Sequence, residues 1–215
     1  LTYVAQSNLS LKDLKMIFGE KMSTEMGLRW RESRNALAFH EMELRNAIFG
    51  LHTRRFGTVA EIMVKKIIGI ENSNKLNYDL FDKVNNMRVE CKFSRCQRSH
   101  TLKITEKNVL KALEFETDRH ILFAEREDYD WDSNIQQVKK SEFDQLFYGV
   151  FFADLIVIFK IEPNQIGDNV QYSDKQHRGN TGEGQFHLNN KNIQYHLKNH
   201  LYKYISYNEL NEWLQ

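Results

Sequence analysis

The sequence predicts an α/β fold, a mixed α+β sheet flanked by helices, and three stretches carry that prediction. Leu155-Ile156-Val157-Ile158-Phe159 is apolar at every position, as expected of a strand covered on both faces. Tyr78 to Lys92 reads as two short strands joined by a polar Asn85-Asn86 turn. Phe56 to Gly69 reads as an amphipathic helix of the kind that covers such a sheet.

Taken in order, residues 1–55 form an N-terminal helical elaboration. Helices are expected near 9–23 and 34–50, the second from the recurrence of Leu37, Leu44, Ile48 and Leu51 on one face. The core helix is expected near 58–68, with Thr58 as N-cap and Glu61 at the third helical position, the spacing of a capping box. Strands follow near 76–81 and 87–93. A helix from Glu106 to Glu116 would carry Val109, Leu110 and Leu113 on one side, and strands resume near 120–125 and 154–161. Phe143, Phe147, Phe151 and Phe152 fit an apolar helical face running into that last strand, hence core and not a base-stacking platform. Residues 56–162 make the core, and 163–215 a polar loop and a C-terminal helix.

Composition bounds the function. With 215 residues, 41% of them hydrophobic, the chain can bury one substantial core. Pro163 is its only proline and no linker-like tract appears, so one domain is expected over 1–215. The net charge of +1 gives no overall electrostatic case for nucleic acid, but the distribution does. Arg88, Lys92, Arg95, Arg98, His100, Lys103 and Lys107 cluster along and after the second strand of the hairpin, and Lys175, His177 and Arg178 form a second group. Solvated surface is the competing explanation for both groups. Cys91 and Cys96 make no CxxC pattern, which fits a reduced, cytoplasmic setting. The first residues lack the basic start and apolar run of a signal peptide. The apolar run from Leu146 to Phe159 is too short for a membrane span and contains Asp154, so no membrane association is expected.

The chemistry sits in the hairpin. Strand side chains alternate, so Glu90 and Lys92 share one face while Val89 and Cys91 take the other. If the strands pair around Asn85-Asn86, Asp79 approaches Glu90, and two carboxylates with water and phosphate suit Mg²⁺. The competing explanation is an exposed hairpin with a harmless Glu90–Lys92 pair worth well under ~1 kcal/mol.

Asp79 followed by Glu90-Cys91-Lys92 resembles the PD-(D/E)xK nuclease signature, with Tyr78 in place of the consensus proline, and Phe56 to Gly69 resembles the first core helix of that superfamily. The resemblance implies a restriction-endonuclease-like core, with Asp79, Glu90 and Lys92 catalytic and Asp79, Glu90 and the Cys91 carbonyl around Mg²⁺, for which Mn²⁺ can substitute. It gives Glu61 a second explanation beside capping, reaching the metal through water. It also implies double-stranded DNA as substrate, a homodimer that matches two-fold symmetric DNA, and a cognate DNA methyltransferase in the host. Phosphates would meet Arg95, Arg98, Lys103 and Lys107.

His177 to Asn192 is glycine-rich but lacks the Gly-Lys-Ser/Thr ending of a phosphate-binding loop. It reads as a mobile polar loop leading into a strand over Gln185–Leu188. Arg178, Asn180, Gln185, Asn189 and Asn190 are residue types that bond base edges, and equally residue types that build turns. His196 and His200 stand four apart on the C-terminal helix without an acidic residue between them to act as base, and read as surface or partly packed. Three functions remain: a type II restriction endonuclease, a repair or junction-resolving nuclease with the same core, and a non-enzymatic DNA-binding module.

Overall fold

The computed structural model describes residues 39–72, 77–99, 102–117, 119–175 and 181–215. The chain divides into a unit of residues 1–44 and a unit of 45–215, and both sheets and the candidate site belong to the second. The helix expected near 9–23 lies outside the described residues; the one expected near 34–50 is found as α1, Phe39–Phe49, which spans the junction.

Helix α2 runs Thr53–Ile68 and buries Phe56, Ala60, Met63 and Val64 along one stripe. That stripe begins at Phe56, so the helix starts a full turn earlier than the Thr58 cap predicts. Thr58 lies inside it and its hydroxyl donates back to the Arg54 carbonyl at 3.2 Å. The capping box at Thr58 and Glu61 is thereby ruled out. The same sequence pattern is used at Ser206, whose hydroxyl accepts from the Glu209 amide at 3.1 Å while Glu209 accepts from the Ser206 amide.

Beyond α2 come β1 (Glu71–Asn72), β2 (Leu80–Asp82) and β3 (Met87–Arg95). Asp82 accepts from the Val84 and Asn85 amides at 2.9 and 3.0 Å, and Asn86 takes the left-handed φ of 54°, closing the expected turn. Helix α3 is Val109–Thr117; its Ala112 is buried while Val109 and Leu110 are exposed, so the apolar side faces outward instead of into the core. The strand expected near 120–125 is replaced by a single bridge residue, His120, and a 3-10 turn over Phe123–Glu125.

The remaining elements are β4 (Asp132–Val138), β5 (Gln145–Phe151), β6 (Leu155–Ile161), β7 (Ser173–Lys175), β8 (Thr181–Asn189), α4 (Ile193–His200), β9 (Leu201–Ser206) and α5 (Tyr207–Leu214). Phe147 and Phe151 are core residues, as expected, but they lie on β5 and not on a helix. The aromatic spacing mimics a helical stripe because β5 is buried on both faces, which erases the period of two.

Six strands form one sheet in the order β1-β2-β3-β5-β6-β9, and β4-β8-β7 form a second. Among the described strands only β3 and β5 run parallel, so the chain between them crosses over through α3 and β4. The fold is the mixed α+β sheet with flanking helices that the sequence predicts. On one face Phe151 meets Phe56 of α2, with ring centroids 4.9 Å apart. Phe93 crosses that face over Gly149, where a Cβ would come within 2.7 Å of its ring and 2.1 Å of the Val157 carbonyl. On the other face Leu146, Tyr148 and Val150 pack with Ile135, Phe186 and Leu188 of the small sheet and Ile193 of α4.

His196 belongs to this second core. It is fully buried, its Nδ1 sits 2.9 Å from the Tyr148 hydroxyl, and its ring stacks on Phe186. His200 is also buried, so both histidines are packed more deeply than the sequence suggests. Burial, and next the charge of His200, pull the His196 pKa down from 6.5 to about 4. Between these values the unfolded chain binds a proton the native state refuses, so stability is lost as pH falls from 6.5 towards 4. Urea unfolding should show the parent losing up to about 3 kcal/mol more over that interval than His196→Gln; equal losses in the two proteins would contradict the assignment.

Candidate active site

The hairpin register is Leu80 to Val89, Phe81 to Arg88 and Asp82 to Met87. Asp79 lies one residue before β2, not on a strand as expected. Because the β2 ladder stops at Leu80, no β2 backbone group meets Cys91. The Asp79 carboxylate takes that place, and Oδ2 accepts the Cys91 amide at 2.9 Å. The N–H and C=O of one strand residue leave by the same edge, so the Cys91 carbonyl is directed towards Asp79 as well.

Glu90 and Lys92 share the opposite face from the Cys91 side chain. Lys92 Nζ contacts Glu90 Oε1 and lies 3.8 Å from Asp79 Oδ2. Glu90 is 9% exposed, which excludes the harmless surface pair. Its Oε2 is buried without a hydrogen-bond partner. Burial, opposed by Lys92 and reinforced by Asp79, raises the Glu90 pKa from 4.5 to about 6. Burial pulls the Lys92 ammonium down, but the Glu90 and Asp79 carboxylates outweigh it and leave the pKa raised. Lys92 thus stays cationic.

Glu61 of α2 is half-buried, and its pKa is raised by burial and then by the nearby Asp79 charge. With capping excluded, its place beside the acidic pair is what distinguishes it. The Cys91 thiol is buried and pushed well up, first by burial and then by the Asp79 charge, so it is no nucleophile.

Asp79, Glu90 and Lys92 form one wall of a cleft of about 230 Å³. The other wall holds Gln137, Lys139, Glu142 and Glu183, which no sequence pattern indicates. Lys139 lies 3.7 Å from Glu142 and 3.4 Å from Glu183. Gln137 sits at a bulge in β4 with φ of 57°, a strain of roughly 1–3 kcal/mol for a residue other than glycine. The bulge breaks the alternation that would have flagged these residues.

The donor set fits a divalent cation. Among the described residues no group of three or more His, Cys, Asp and Glu side chains converges on a metal position. Two carboxylates are nevertheless what Mg²⁺ takes from protein when phosphate and water fill its shell, and Glu90, a residue of that cleft, keeps one buried oxygen without a partner.

The basic residues behave differently from expectation. Arg88 is locked to Asp144 by a 2.8 Å ion pair. Arg95 lies on the face opposite Lys92, stacked 4.3 Å over Phe56 and donating to the Leu51 carbonyl, and Arg98 stacks 3.8 Å over Tyr129. The structure does not bring Arg95 and Arg98 to the cleft. Lys103 and Lys107 are exposed before α3. His100, Arg178 and Asn180 lie outside the described residues. Gln185 accepts from Asn134 at 3.0 Å, Asn189 accepts from the Lys191 and Asn192 amides, and Asn190 donates to Asp130. These partners express the turn and sheet chemistry that competes with base recognition.

Comparison with protein-family models, curated proteins and solved structures finds no match in any of the three.

Glu90 carries a testable stability cost. Its folded pKa is raised, so its contribution is full below pH 4.5 and lost as pH rises through 6. The rise of 6 − 4.5 units corresponds to about 2 kcal/mol. In metal-free buffer Glu90→Gln should therefore gain about 1–2 kcal/mol over the parent between about pH 4 and about pH 8. A parent-to-variant gap that stays constant across that range, read by urea unfolding, would contradict the buried-carboxylate account.

Proposed function

We propose that the chain is a Mg²⁺-dependent endonuclease of the PD-(D/E)xK superfamily, a type II restriction enzyme that hydrolyses phosphodiester bonds at a specific sequence in double-stranded DNA. The observation that supports it most is the convergence of Asp79 and Glu90 with the Lys92 ammonium, one buried Glu90 oxygen being left without a partner. A structural ion pair would satisfy both Glu90 oxygens, since a buried unpaired acceptor costs about 1–3 kcal/mol or more.

Asp79, Glu90 and the Cys91 carbonyl would hold the cation, which when bound supplies positive charge to the scissile phosphate and acidity to water. Lys92 donates to the attacking water and holds its oxygen in line with phosphorus. Its ammonium also offsets the negative charge that develops on the phosphoryl oxygens. Glu61 supports the site from α2 by accepting a proton from water at its edge. Lys139, balanced by Glu142 and Glu183, lines the far wall, where the phosphate chain continues. A homodimer would place two such clefts on the two strands, with a partner methyltransferase protecting host DNA.

Hydrolysis of a labelled duplex tests the roles. Asp79→Ala, Glu90→Ala and Lys92→Ala should each lower the rate by about 100-fold or more while duplex affinity in chelator is kept. Lys92→Arg should not restore it, because a planar guanidinium cannot replace a compact ammonium. Glu61→Gln should lower turnover without lowering the melting temperature, since it caps nothing. Rates within a few-fold of the parent for the Asp79 or Glu90 variants would overturn the site. Lys103→Ala should reduce the slope of log affinity against log salt by about one unit, equally on all sequences.

A further inference from the structure

A second, larger cavity of about 540 Å³ adjoins the cleft and shares Asn77, Tyr78 and Glu142 with it. We propose that it receives a nucleobase lying outside the base stack, from the strand whose phosphate occupies the cleft. The inference rests on the nuclease reading and adds that one base beside the cut leaves the stack of the duplex.

Size comes first. A cavity of this volume falls in the range that organic ligands fill, far beyond a lone ion. Charge comes next. Arg88 is the only cation among the lining residues, and it is already paired: Nε and Nη2 donate to Asp144 at 3.1 and 2.8 Å, and Nη1 to the Ser141 carbonyl at 2.9 Å. With Asp144 and Glu142 also in the wall, the lining carries no excess positive charge to draw a phosphate, and it suits a neutral group.

Its aromatic pair selects the kind of neutral group. Tyr78 and Phe81 have ring centroids 5.9 Å apart and planes tilted by 40°, so their faces are not stacked on each other. Both rings are half-buried and lie on the cavity wall. A base laid against them gains the stacking that single-strand binding proteins use. The Asn77 and Asn86 amides also line the wall, and an asparagine amide offers the donor and acceptor pair that matches an adenine edge. Tyr78 immediately precedes Asp79, so a base held by its ring belongs to a nucleotide next to the phosphate in the cleft. A paired, stacked base has no free face to offer, so in a duplex the occupant is an extruded nucleotide.

Two strands of equal charge test this in chelator, where no cutting occurs: labelled oligodeoxyadenylate and the same backbone with every base removed. The parent should bind the base-bearing strand at least about ten-fold more tightly. Tyr78→Leu and Phe81→Leu should bring that ratio close to one while affinity for the base-free strand stays at the parental value. Asn86→Gly, which keeps the turn conformation and deletes only the amide, should lower the ratio part way. A misfolded variant would lose affinity for both strands, and Asn86→Gly then carries the test. Equal affinity of the parent for both strands, or an unchanged ratio in the variants, overturns the pocket. Absence of Mg²⁺-dependent hydrolysis by the parent is a separate result, read in a separate assay, and overturns the nuclease reading on which the pocket rests.

Discussion

The hydrogen bond from the Cys91 amide to Asp79 Oδ2 fixes the geometry on which the site depends. It exists because β2 is short: the ladder ends at Leu80, and the residue before it meets β3 with its side chain instead of its backbone. A β2 longer by two residues would spend the Cys91 edge on strand pairing and turn Asp79 away. Alternation on β3 then sets Glu90 and Lys92 beside that carboxylate, while the parallel β3–β5 register, Glu90 to Leu146 and Lys92 to Tyr148, anchors both against the fully buried centre of the sheet.

That anchoring carries a stability cost. Glu90 is held where its ionised form is disfavoured, Gln137 is held at a strained bulge, and both line the same cleft. Costs of this kind collect at functional sites in proteins, since a sequence selected for stability alone would relieve them. The core carries a cost of its own at His196, whose buried Nε2 has no partner among the described residues. Its Nδ1 is bonded to the Tyr148 hydroxyl, and Gly149 is bare where Phe93 crosses the sheet.

The hairpin, its turn and the buried strand β6 were legible in the sequence because each depends on local chemistry: an Asp-Lys-Val-Asn-Asn turn, period-two alternation, and an unbroken apolar run. Legibility failed where tertiary context decides. The Thr58 cap lost to an apolar stripe that begins at Phe56. The phenylalanines near 150 read as helical because a strand covered on both faces has no period. Arg95 and Arg98 looked like phosphate ligands but are consumed by aromatic rings and, for Arg95, a carbonyl, partners that only the folded chain supplies. The far wall of the cleft could not be read at all, because Gln137 reaches it from a bulge in β4, Lys139 from just beyond that strand and Glu183 from β8.

The central claim is that this arrangement cuts DNA with a divalent cation. Digestion of a mixed-sequence plasmid by the purified chain, with Mg²⁺ and with chelator, tests it most directly when the product ends are sequenced. The account predicts cuts only with Mg²⁺, at ends that share a common sequence. An intact plasmid under both conditions, with the protein folded and bound to it, would contradict the enzyme and leave a DNA-binding module in its place.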